Sequence, residues 1–108
     1  MAIILSKYAT SEPIPFTVEF NGDTLQFYAK RASIHSNLVN AKRVNSAEPE
    51  ANIKKLFADR LLDDEMQPVT KEWVDELLTT DGLEVLFYRI NNEFTKAVGL
   101  DEIVAKKG

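Results

Sequence analysis

The chain has 108 residues, 44% of them hydrophobic, no cysteine, and a net charge of −4 with an isoelectric point near 5.0. That is one ordinary domain, long enough to bury roughly two-thirds of its unfolded surface around a single core. Disulfides, thiolate zinc sites and cysteine nucleophiles are excluded, and the acidity argues against nucleic acid as the main partner, since phosphate neutralisation takes clustered Lys and Arg.

Residues 1–15 predict an extended arm: Ser11-Glu12-Pro13-Ile14-Pro15 places two prolines where a helix would need backbone donors. The apolar run Ile3-Ile4-Leu5 is far short of a signal-peptide core or of the ~20 residues that span a bilayer, so the expectation is a soluble intracellular chain with no membrane partner. Residues 16–28 predict a β-hairpin turning at Asn21-Gly22, the strongest short-range hairpin signal. A two-residue loop pairs Phe20 with Asp23, Val18 with Leu25 and Phe16 with Phe27, which puts the bulky apolar residues of both strands on one face. A lone hairpin is marginal in water, so that face predicts helices packed on it.

Residues 33–99 supply about four short helices, giving an α+β, mainly helical domain. Ser33 caps a first helix in which Ile34, Leu38 and Ala41 recur at helical spacing, and Lys42-Arg43 suit its C-terminal dipole. Pro49 opens a second, whose stripe is Ile53, Leu56, Phe57 and Leu61. Asp63-Asp64-Glu65 reads as a solvated helix end, lacking the Gly and final Glu of a calcium loop. Thr70 caps a third helix with Trp73, Leu77 and Val74 facing inward. Asp81 with Glu84 three residues on predicts a capping box for a fourth, whose stripe runs through Leu83, Leu86, Phe87, Ile90, Phe94, Ala97 and Val98. Gly99 suits the C-cap, and residues 100–108 predict a mobile tail.

No catalytic signature emerges, and no enzyme, cofactor or metal site is expected. His35 is the sole histidine, each glycine stands alone, and no serine sits in a nucleophile-elbow context. Contact with other proteins is the more promising reading. Val85 and Tyr88 lie nearly opposite the fourth helix's stripe, so they either pack beneath another helix of this chain or form an interface. Charge is segregated as well. No acid falls between Asp23 and Glu48, where Lys30, Arg31, Lys42 and Arg43 cluster, whereas nine acids between Asp59 and Glu84 face only Arg60 and Lys71. Such separation either balances within the chain, steers an acidic partner, or aligns like copies head to tail. The candidate contact residues are therefore Lys30, Arg31, Lys42, Arg43, Val85 and Tyr88.

The segment Phe-Thr-Val-Glu-Phe-Asn-Gly-Asp-Thr-Leu-Gln-Phe-Tyr-Ala-Lys-Arg at 16–31, small helices after it, and Val-Thr-Lys-Glu-Trp-Val-Asp-Glu-Leu-Leu at 69–78 resemble the tail assembly chaperones of long-tailed bacteriophages. The likeness is a pattern over most of the chain without a fixed motif, so no residue role transfers by position. It implies a non-enzymatic protein of the host cytoplasm, absent from the mature virion. Its partners would be the tape-measure protein and, through a frameshift-extended form, the tail-tube protein; Lys106-Lys107 suit such a frameshift. Self-association, through the hairpin edge for example, stays open. The competing readings are a structural virion component, such as a connector or minor tail protein, and a small nucleic-acid-binding regulator.

Overall fold

The computed structural model describes residues 4–44 and 48–99, with the side chains of residues 8, 40, 41, 43, 44 and 49 left outside the description. The predicted tail at 100–108 and part of the break before Pro49 thus lie outside the described residues. The architecture is α+β and mainly helical. After a single 3-10 turn at Leu5–Tyr8 come strands β1 (Ile14–Phe20) and β2 (Asp23–Ala29), then helices α1 (Ile34–Val44) and α2 (Pro49–Arg60). Strand β3 (Leu61–Leu62) and helices α3 (Lys71–Thr79) and α4 (Glu84–Val98) complete the chain.

The hairpin has the register that Asn-Gly and the alternation dictate: Phe20 faces Asp23, Val18 faces Leu25 and Phe16 faces Phe27. Asn21 and Gly22 both take positive φ, 52° and 85°, the pair of angles that lets a two-residue loop follow the strands' twist. Pairing runs further than predicted, through Pro15 with Tyr28 to Ile14 with Ala29. Counting back from the closing pair, the backbone groups of Pro15, Thr17 and Glu19 point away from β2, so Pro15 withholds no ladder donor.

Two expectations about α2 and its exit are corrected. Leu61 does not continue the helix. The helix stops at Arg60 and the chain passes directly into β3, which pairs Leu61 with Ala29 and Leu62 with Tyr28, making an antiparallel sheet of order β1-β2-β3. Asp63-Asp64-Glu65 consequently is no helix end but a tight turn. The Asp63 carboxylate accepts the backbone N–H groups of Glu65 at 2.9 Å and Gln67 at 3.0 Å, bending the chain back so that Val69 N–H reaches Leu61 O at 3.1 Å.

The core lies between the apolar face of the hairpin and the helices. Phe57, Leu61, Val74, Ile90, Phe94 and Val18 are fully enclosed. Phe94 meets Phe57 edge-on at 5.5 Å and Phe16 at 6.4 Å, so one α4 side chain ties α2 to the sheet. Trp73 is half-buried against Phe27 at 6.2 Å. Thr70 caps α3 by accepting Trp73 N–H, and Gly99 closes α4 with a left-handed φ of 78°. The predicted Asp81 cap is not formed. Leu83 occupies the N-cap position with no side-chain cap, and the carboxylate of Glu84, here the first helical residue, accepts Gly82 N–H at 2.9 Å, so neither half of the predicted capping box forms. Along α1, Ser33 does cap, accepting Ser36 N–H. Ile34, expected inside, is 73% exposed; among the described side chains of α1 it is Asn37 that is buried, and the predicted stripe residue Ala41 has its side chain outside the described residues.

Candidate functional site

Val85 and Tyr88 sit in the first two turns of α4, on the side away from the stripe that packs on the sheet. No helix among the described residues covers them: they are 46% and 61% exposed. Tyr88 touches Phe87 edge-on at 5.5 Å and borders a shallow hollow at the α3–α4 corner with Leu77, Leu78, Thr80 and Asp81. This is a half-apolar, half-polar surface of the kind in which an aromatic anchors a protein contact. The charged residues lining that hollow are acidic: Asp81 in the turn and Glu84 at the helix start. Arg89, next in sequence, turns its guanidinium to the Glu19 carbonyl at 2.7 Å and so faces β1 instead.

Two of the cationic candidates meet elsewhere. Lys30 and Arg31 follow β2, line a second hollow with His35 and Asp59, and are exposed; Arg31 Nε also donates to Glu12 O at 2.7 Å, holding the N-terminal segment in place. Lys42 is exposed on α1 outside this hollow, and the Arg43 side chain lies outside the described residues. Of the five candidates whose side chains are described, Lys30 and Arg31 share one hollow and Tyr88 borders another, so these five form no single site. The structure separates an apolar, acid-rimmed corner from a cationic region at the start of α1. Among the described residues, no three of His, Asp and Glu converge to hold a metal ion.

The cationic hollow is also lined by a residue that sequence reasoning treated only as a charge. Arg60 ends α2 and is buried. Its Nε and Nη2 both donate to Lys30 O, at 3.2 and 2.8 Å, its Nη1 donates to Asn37 Oδ1 at 2.6 Å, and its guanidinium lies 5.9 Å from the Phe94 ring centre. Asn37 in turn donates through Nδ2 to Val98 O at 3.2 Å. Burial pushes the Arg60 pKa below the ordinary arginine value, the expected direction for a cation taken from water. The signal was present: Arg60 follows Ile53, Leu56 and Phe57 by seven, four and three residues, which is the apolar stripe itself.

Lys54 links α2 to α3 at the surface. Its hydrogen bond to Asp75, at 2.6 Å, raises the lysine pKa, with Glu50 contributing at 3.8 Å.

Set against known proteins, the chain matches no family model, no curated protein and no solved structure. No helix among the described residues is long and apolar enough to cross a membrane.

Proposed function

We propose that this chain is a polypeptide-binding protein that works without catalysis, and that it serves as a tail assembly chaperone of a long-tailed bacteriophage. The observation that carries the binding reading is the uncovered Val85–Tyr88 face of α4, a helix whose opposite side already supplies the core. A long helical client needs shallow amphipathic surface and many weak contacts more than an enclosed pocket. The α3–α4 corner offers such a surface, with an aromatic anchor and charged rim. The phage assignment is supported by the resemblance of residues 16–31 and 69–78 to that family. On this reading the tape-measure protein is the client, the tail-tube protein is engaged through an extended form, and the work is done in the host cytoplasm before the virion is finished.

The test is co-expression of the chain with the tape-measure protein from the same genome. The client is expected to move from the pellet to the soluble fraction when the chain is present; equal insolubility with and without it would rule the chaperone role out.

A further inference from the structure

We propose that the hollow at the start of α1 is a binding site for a terminal phosphate group. Arg60 lines it while only 6% exposed, and its three hydrogen bonds all go to neutral oxygens, two to Lys30 O and one to Asn37 Oδ1. A guanidinium carries five N–H groups, so two of them have no acceptor among the described residues. No carboxylate pairs with it there either. Asp59 lines the same hollow without an ion pair to Arg60, and the ion pairs among the described residues are those of Lys54 and Lys96. Burial is accordingly the one cause of the lowered Arg60 pKa, with no neighbouring acid to offset it. A buried cation is ordinarily matched by an anion. Here the described part of the chain supplies none, and the hollow opens the cation's surroundings to one from outside.

The rest of the lining suits an oxyanion. Lys30 and Arg31 are exposed, and Arg31 spends only its Nε, on Glu12 O, which leaves both terminal nitrogens without an acceptor among the described residues. The Ser36 hydroxyl accepts from Ser33 Oγ, so its own proton is free for a ligand, and the His35 ring adds a further N–H. Against the charges of Lys30, Arg31 and Arg60 stands one acid, Asp59, a local surplus of two with His35 neutral. A phosphate monoester carries about −1.5 to −2 at neutral pH and matches that surplus. The donors come from three segments: the link after β2, the first turn of α1 and the end of α2. Such an arrangement fits the several oxygens of a tetrahedral group better than the two coplanar oxygens of a carboxylate. The hollow measures about 440 Å³, enough for a small ligand, and its polar lining selects for the charged group over an apolar body. This inference goes beyond the polypeptide-binding reading: it names a small ligand at a different region and holds or falls without any protein client.

Nitrogen-15 NMR of the full chain, titrated with inorganic phosphate while chloride holds the ionic strength constant, tests it. Saturable shifts are expected at the backbone of Lys30, Arg31, His35 and Ser36 and at the Arg60 Nε–H, with a dissociation constant of about 1 mM or below. Lys30→Gln and Arg31→Gln should each weaken binding about tenfold, and Ser36→Ala about threefold. Lys42→Gln, an exposed cation outside the hollow, should leave it within about twofold. Circular dichroism confirms folding first; because Arg31 also holds Glu12 O, a misfolded Arg31→Gln leaves the test to Lys30→Gln and Ser36→Ala. Adenosine 5′-monophosphate and glucose 6-phosphate separate the sources: a monoester that binds more tightly than inorganic phosphate makes this a site for phosphorylated small molecules, and equal or weaker binding makes the free ion its ligand. Shifts that fail to saturate, a loss in Lys42→Gln as large as in Lys30→Gln, or acetate bound as tightly as phosphate would overturn the proposal. So would a clear preference for an oligonucleotide without terminal phosphates, which would make the phosphodiester backbone the ligand.

Discussion

Arg60 Nη1 lies 2.6 Å from Asn37 Oδ1, and both side chains are buried. The pair joins α2 to α1. Through Lys30 O and Val98 O it extends to the end of β2 and the end of α4, so four elements meet on one cation and one amide. A buried charge held by neutral oxygens is costly to expose and costlier to strand.

Removing either partner should therefore destabilise the domain more than a surface change of equal size. Arg60→Ala leaves Lys30 O and Asn37 Oδ1 without their donors and is expected to cost about 3 kcal/mol. Arg60→Lys, with a point charge in place of a planar fork, should recover only part of this. Urea unfolding of the three proteins measures both differences, and a loss within about 0.5 kcal/mol for Arg60→Ala would show that the network is incidental.

The Val85–Tyr88 face is expected to behave in the opposite way. Because both side chains are largely solvated, Tyr88→Ala should leave stability within about 0.5 kcal/mol of wild type. Client affinity should fall by about tenfold or more, the effect of losing an aromatic anchor. Titration of the tape-measure segment by calorimetry, paired with thermal melting, separates the two effects; unchanged affinity would remove Tyr88 from the contact.

At the hairpin turn, Gly22→Ala meets no neighbouring atom within 4 Å, yet it must hold φ near +85°. The expected loss of about 1 kcal/mol is conformational, not steric. Asn21→Gly, at φ 52°, should be close to neutral. Chemical denaturation of both variants checks the contrast.

The Lys54–Asp75 bond predicts a pH dependence whose sign follows from the raised lysine pKa. The folded state holds the proton more tightly than the unfolded one, so the bond's contribution is fully present below the ordinary lysine value of 10.5. It is lost as pH climbs through the higher folded value. Melting temperatures of wild type and Lys54→Gln should thus differ slightly and constantly at neutral pH, and converge in strong alkali.

Local rules were sufficient wherever a segment's partner was its own neighbour. The Asn21-Gly22 turn and period-two alternation fixed every pairing from Phe16 to Asp23, and Ser33, Thr70, Pro49 and Gly99 marked helix ends by chemistry contained within a turn. What escaped depended on distant chain. A strand of two residues is too short to show a period, so Leu61-Leu62 looked like the end of a helical stripe until β2 claimed it. Ile34, expected inside, is exposed, while Asn37 turns inward, where Arg60 and Val98, far along the sequence, offer its amide two partners. At the candidate site, the position of Val85 and Tyr88 off the core stripe was legible, but whether another helix would cover them was not. The separation of Lys30 and Arg31 from that pair likewise needed the packing of α1 against α2.

The passage from Arg60 to Leu61 carries a mechanical corollary. With no loop between α2 and β3, the helix axis is welded to the sheet, and a load that tilts α2 must peel Leu61 from Ala29 in the same movement. Force applied along the second helix would reach the third strand undamped, so these two elements are expected to yield together under tension.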